Sequence, residues 1–90
     1  MSWYVYIIEC KDKKFYTGIT NNLERRVKEH NGGYGCQYTL QRRPVRLVYS
    51  EQVKSKSNAL KRESEIKGFS RLKKLVLIDG NSPSALRPQD

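Results

Sequence analysis

Five residues of this chain are suited in type and spacing to chemistry: Tyr6, Tyr16, Arg26, His30 and Glu63. Each stands where a polar group is out of place. At about 100° per residue, a helix capped by Asn21 or Asn22 and running to about His30 puts Leu23 and Val27 on one stripe. Arg26 and His30 then lie within or beside that stripe, and Arg25 falls on the far side. A second helix, capped at Ser55 to Ser57 and ending at Lys67 before Gly68, turns Glu63 into the sector between Leu60 and Ile66. A buried carboxylate is unfavourable by several kcal/mol unless a cation, a donor or a metal meets it. Plain structural readings stand beside the chemical one: His30 as a core histidine, Glu63 in a salt bridge to Arg26, and the tyrosines as ordinary sheet residues. Chemically, a carboxylate can hold one divalent ion, and an arginine can brace a phosphate. A phenol can take a proton from water if neighbours lower its pKa from about 10. Such a set would hydrolyse a phosphodiester.

The elements that must position these groups follow from local pattern. Residues 3–8 read as a strand buried on both faces, residues 11–14 as a polar turn, and residues 15–19 as a second strand. Period two puts Tyr4, Tyr6 and Ile8 on one face and Tyr16 with Gly18 on one face. Gly18 leaves a gap there, suited to the approach of a ligand backbone. Residues 31–43 read as a glycine-rich loop, and Pro44 opens a third strand over residues 45–49. Ser70 caps a third helix with Leu72, Leu75 and Val76 as its apolar stripe. The expected fold is α/β, a small three-stranded, mostly antiparallel sheet flanked by helices in the order ββαβαα. Residues 1–79 would form one domain and residues 80–90 a flexible tail.

Charge narrows the partner. Eighteen Lys and Arg against nine Asp and Glu leave a net charge of +9, which points to a polyanion, nucleic acid ahead of a membrane surface. The cations cluster around Arg25, Arg26 and Lys28, around Arg42, Arg43 and Arg46, and between Lys54 and Lys74. Arg42, Arg43, Lys54, Lys56, Lys73 and Lys74 are candidates for backbone phosphate contacts. Tyr34 and Tyr38, in the glycine-rich loop, are candidates to stack on an unpaired base, with loop anchoring as the alternative. No apolar run approaches the roughly 20 residues of a membrane span. Met1-Ser2-Trp3 leads into a strand with no charged leader region. Cys10 and Cys36 are too few for a disulfide scaffold or a four-ligand zinc site. A cytoplasmic location is expected.

At these residues the chain resembles the GIY-YIG nuclease superfamily, in particular its small stand-alone bacterial members, over about residues 3–79. Tyr4-Val5-Tyr6 is similar to the first signature strand, with Tyr6 on the motif tyrosine, and Tyr16-Thr17-Gly18 to the second. The stretch from Leu23 to His30 is similar to the helix that follows, and Ala59-Leu60-Lys61-Arg62-Glu63 to the segment carrying the metal-binding glutamate. Tyr4 replaces the motif glycine and Thr17 the motif isoleucine. Asn81, the one candidate for a late family asparagine, takes no role. The resemblance implies an endonuclease dependent on a single Mg²⁺ or Mn²⁺ bound by Glu63, with Arg26 on the phosphate. Tyr6 or Tyr16 would be the general base, aided by His30. The substrate would be DNA, with RNA as the alternative, cut by structure or strandedness rather than by sequence, in repair or recombination. A protein partner would supply any specificity or activation. A catalytically inactive nucleic-acid-binding module on the same scaffold is the rival reading.

Overall fold

The apolar run near the start of the chain becomes the middle of the sheet. In the computed structural model, which describes residues 2–80, β1 (Trp3–Glu9) lies between β2 (Phe15–Thr20) and β3 (Arg46–Val53). Both neighbours run antiparallel to β1, so the sheet is wholly antiparallel. A central strand with cover on both faces must be apolar at consecutive positions. Val5, Tyr6, Ile7 and Ile8 are accordingly 0–1% exposed.

Alternation along β1 divides the interior into two cores. Val5 and Ile7 meet Tyr49 together with Ala59 and Ile66 of α3 (Lys56–Lys67). Phe69, Leu77 and Ile78 add to that core, the last two from α4 (Arg71–Gly80). Tyr6 and Ile8 point the other way, to Cys10 and Val45, under Leu23 and Val27 of α1 (Leu23–Asn31). The helix ends follow local capping chemistry. Asn22 accepts from the Arg25 amide at 3.0 Å, Ser55 from Asn58 at 3.1 Å and Ser70 from Lys73 at 3.1 Å. Gly32 and Gly68 close α1 and α3.

Three expectations change. The segment 31–43 is not all loop, because it contains a one-turn helix, α2 (Gln37–Leu40). Leu60 is 47% exposed, so the inward stripe of α3 runs through Ala59, Glu63 and Ile66 rather than starting at Leu60. On α4, Leu72 and Val76 are 72% and 64% exposed, and Leu75 also reaches the surface. That helix packs against β3 and turns Leu77 and Ile78 to the core, a different side from the one first assigned. β3 also begins one residue after Val45 and extends to Val53. The expected tail and Asn81 lie outside the described residues, apart from Gly80, which ends α4.

Among the described residues, Thr17 Oγ1 is a buried side-chain oxygen with no hydrogen-bond partner. Thr17 lies opposite Ile7, facing the apolar core, and is 3% exposed. A hydroxyl stranded in this way is unfavourable by about 1–3 kcal/mol. Replacing it with the like-shaped valine, Thr17→Val, is expected to stabilise the fold by about 1 kcal/mol and raise the melting temperature by about 4–8 °C. A calorimetric midpoint that falls instead would show that the hydroxyl is hydrogen-bonded in solution.

Candidate active site

The site is built on the face of the sheet that α1 covers. Tyr6 lies opposite Gly18 across the β1–β2 ladder and diagonal to Tyr16, with ring centroids 6.5 Å apart. A Cβ at position 18 would stand 2.5 Å from Tyr6 Oη and 2.7 Å from Cζ. The gap expected to admit a ligand backbone is therefore filled by the phenol of Tyr6. Glycine is required there because the ring lies across the strand.

Two side chains from successive turns of α1 meet that phenol. Arg26 donates from Nε to Tyr6 Oη at 3.3 Å, and His30 Nε2 lies 2.9 Å from the same oxygen. Nη1 donates to Glu29 Oε1 at 3.0 Å and Nη2 to the Gly35 carbonyl at 3.2 Å, which leaves one further N–H on each. The anionic partner of Arg26 is thus Glu29, one turn along its own helix, and not Glu63. As expected, Arg25 points away, its side chain 58% exposed.

His30 is fully buried, and its other nitrogen decides its protonation. Nδ1 lies 2.8 Å from Thr39 Oγ1, and that hydroxyl donates to the Cys36 carbonyl at 3.3 Å. A hydroxyl has one proton to give, so Thr39 accepts from Nδ1–H and leaves Nε2 to accept from the Tyr6 hydroxyl. This tautomer is assigned from the bonding pattern. Burial, and then the nearby Arg26 charge, push the His30 pKa down to about 4, so the ring is neutral at pH 7. Gly35 lies against the ring so closely that any Cβ there would overlap it. Thr39, Cys36 and Gly35 escaped sequence reasoning. A one-turn helix has no apolar period, and a hydroxyl nine residues beyond the histidine carries no spacing signal.

Tyr16 packs edge-on against His30, centroids 5.3 Å apart. Burial, and then a hydrogen bond with the Cys36 side chain, raise its pKa. The Tyr6 pKa is also raised, by burial above all, although Arg26 opposes the shift. Glu63 comes from α3, whose Ala59 and Ile66 pack on the opposite face of the sheet, and it is not hydrogen-bonded to the other four. Its side chain is 18% exposed, and the carboxylate pairs with Lys67 Nζ at 3.3 Å. The same ammonium stands 6.0 Å from the Tyr16 ring centroid, which sets the pair beside the tyrosines at the β2 edge. The negative charge of Glu63 reaches Tyr6, where it adds to the upward pKa shift. Among the described residues no three His, Cys, Asp or Glu side chains gather as a metal cage. A single carboxylate suits Mg²⁺, which keeps most of its waters and shares its ligation with substrate phosphates.

The expected nucleic-acid contacts are spread over several places. Arg42 stacks over Tyr38 at 4.1 Å and bonds to Asp12 at 3.0 Å. Arg43 donates to the Leu40 and Asn31 carbonyls at 2.9 and 3.3 Å. Both arginines therefore tie the 31–43 segment to itself and to the hairpin turn. Lys54 follows β3, Lys56 Nζ stands 5.5 Å from the Trp3 ring, and Lys73 Nζ 4.2 Å from the Phe69 ring. Tyr38 packs on Tyr16 at 5.8 Å, whereas Tyr34 is 83% exposed.

Comparison with known proteins matches residues 2–75 to the GIY-YIG catalytic domain. A UPF0213 protein of Staphylococcus haemolyticus is 57% identical over 84% of this chain and 93% of its own length. One of Syntrophus aciditrophicus is 58% identical over 87% and 91%. The solution structure of a UPF0213 protein from Bacillus halodurans is similar with a TM-score of 0.59 and 45% identity, covering 92% of this chain and 89% of that one. The solution structure of a protein from E. faecalis gives a TM-score of 0.57 and 41% identity, covering 82% of this chain and 79% of that one.

Two predictions follow from the buried triad. Since His30 holds a folded pKa near 4 against about 6.5 unfolded, the unfolded chain binds more protons between those values. Its contribution, on the order of 3 kcal/mol, should be complete above about pH 6.5 and lost as pH falls toward 4. Long-range ¹H–¹⁵N spectra are unambiguous because His30 is the one histidine in the sequence. They should show a neutral ring protonated at Nδ1 at pH 7, and a mixture of tautomers in Thr39→Val. A wild-type ring protonated at Nε2 would overturn the assignment. Separately, Gly18→Ala should displace the Tyr6 ring. A fall in stability together with a changed His30 spectrum would report it, and a wild-type spectrum would contradict the packing.

Proposed function

The chain belongs to the GIY-YIG catalytic-domain family, and on that premise we propose that it is a Mg²⁺- or Mn²⁺-dependent endonuclease acting on DNA. The observation that carries this reading is the phenol of Tyr6, bound at once by a guanidinium and a neutral imidazole. A merely structural tyrosine needs one partner; this one has a proton acceptor and a fixed cation beside it.

Tyr6 is the better base of the two tyrosines, because Tyr16 lacks a route to His30 Nε2. As Tyr6 takes a proton from the attacking water, its own proton passes to Nε2. His30 is a reluctant base in the free protein because burial, and then the Arg26 charge, disfavour its cation. A bound phosphate offsets the Arg26 charge and so relieves that second part of the penalty on the His30 cation when substrate is present. Arg26 braces that phosphate, its remaining donors having been aligned by Glu29 and Gly35. Glu63 would hold the divalent ion, which when bound supplies charge stabilisation to the phosphate and its leaving oxygen. Tyr16 walls the imidazole and orients water or phosphate.

Steering belongs to the net charge of +9, and the exposed Tyr34 ring supports a preference for unpaired bases over sequence. Lys54, Lys56, Lys73 and Lys74 would contact backbone phosphates, with Arg42 and Arg43 shaping the loop that presents Tyr34. Structure- or single-strand-directed cutting, in repair or recombination, fits this surface, as does a cytoplasmic setting for the free thiols of Cys10 and Cys36.

The decisive assay incubates the purified chain with supercoiled, branched and single-stranded DNA and with RNA, with Mg²⁺ or Mn²⁺. Cleavage is expected on branched or single-stranded DNA, falling about 10²–10³-fold in Arg26→Ala and at least as far in Glu63→Gln. Cleavage that survives Glu63→Gln unchanged would sink the mechanism. Tight, salt-dependent binding without cleavage of any substrate would favour the inactive binding module.

A further inference from the structure

A basic pocket lies at the free edge of β2. Lys14, Phe15, Tyr38, Arg71 and Lys74 line a pocket of about 200 Å³ where the two faces of the sheet come together. Tyr38 reaches it from α2 on one side, and Arg71 and Lys74 from the first turns of α4 on the other. Arg71 is held in place, its Cζ 4.5 Å from the centre of the Phe15 ring. Such a contact fixes the guanidinium plane while leaving its N–H edge free for an anion.

Among the described residues the three cations have no acidic partner. Among the described residues, none of Lys14, Arg71 and Lys74 takes part in an ion pair, whereas Arg26, Arg42, Arg46 and Arg62 all do. Cations gathered without counter-charge repel one another, and an anion relieves that repulsion. The pocket also adjoins the tyrosine cluster. Tyr38 stacks on Tyr16, and Tyr16 lies beside Tyr6. A strand whose phosphate lay at Arg26 would run past this edge.

We propose that the pocket takes a backbone phosphate of the nucleic-acid strand, close along the chain to the one held at Arg26; the proposal rests on the nuclease reading above. Lys14 and Arg71 are then substrate-binding residues, and Phe15 is the support that orients Arg71. The strand would be gripped at two phosphates, which sets the direction in which it crosses the site.

Fluorescence anisotropy with labelled single-stranded and duplex oligonucleotides tests this without requiring turnover. Combining Lys14→Ala, Arg71→Gln and Lys74→Ala should weaken binding about tenfold at 0.15 M salt and lower the salt slope by about one. Removing the same number of charges elsewhere, with Lys11→Ala, Lys28→Ala and Lys61→Ala, lowers the net charge equally and should weaken binding several-fold less than the pocket variant does. Oligonucleotides neutralised at one phosphate at a time by methylphosphonate should show a position that matters to the wild type and no longer to the pocket variant. Equal losses in the two triple variants, or no such position, would overturn the pocket while leaving the nuclease reading intact. Wild-type binding to inorganic phosphate or to phosphatidylserine vesicles as tight as to oligonucleotide would reassign the pocket to another phosphate source. Failure of the wild type to bind any nucleic acid would remove both readings together.

Discussion

The burial of one phenol organises this protein. Tyr6 lies in the central strand, 1% exposed, with its hydroxyl carried into the interior. An unpaired hydroxyl there would be unfavourable by about 1–3 kcal/mol, so partners must come from elsewhere in the chain. They come from Arg26 and His30, on successive turns of α1. That requirement sets the rotation of α1 over the sheet, and the ring itself requires glycine at position 18 on the neighbouring strand. His30 in turn needs an acceptor for its second nitrogen, which brings in Thr39 and the short α2. Strand, helix and one-turn helix are thereby tied to a single oxygen atom.

The sheet separates two tasks. On the α3–α4 face the contacts are apolar, with Val5, Ile7, Ala59 and Ile66 at zero exposure, and this core carries most of the hydrophobic stabilisation. The α1 face gives up apolar packing for a polar network that must be fully satisfied to be tolerated. Glu63 belongs to neither interior. It stands at the β2 edge on a helix whose buried neighbours anchor it to the apolar side, and its charge is felt across the edge at Tyr6. A rigid apolar core thus holds the carboxylate at a set distance from a polar cluster built on the opposite face. Such division between support and chemistry is common where a site must be preorganised.

What was legible in the sequence depended on how many turns a pattern had to repeat. α1 and α3 declared themselves through capping residues and closing glycines, and the inward placement of Arg26 and His30 followed from two clear apolar neighbours, Leu23 and Val27. The stripe of α3 was harder, because Ala59 and Ile66 carry the contact while the larger Leu60 faces out. In α4, alternating leucines and lysines allow more than one apolar side, and packing against β3 selected Leu77 and Ile78. α2 was illegible, since four residues make no period and its role is to deliver one hydroxyl.

By itself the sequence determined the order of the longer elements, the burial of the first strand on both faces, the net charge of +9 and the polar residues that oppose the local pattern. Those properties are local or additive, governed by periodicity, capping and summed charge. Only the tertiary structure decided that Arg26 pairs with Glu29, that Tyr6 fills the space left by Gly18, and that Thr39 sets the proton on His30. Each of these depends on atoms placed within about 3 Å of one another by elements distant in the chain, a precision that no spacing rule carries. The unusual glutamate could be found from its position on a helix; what lay across from it could not.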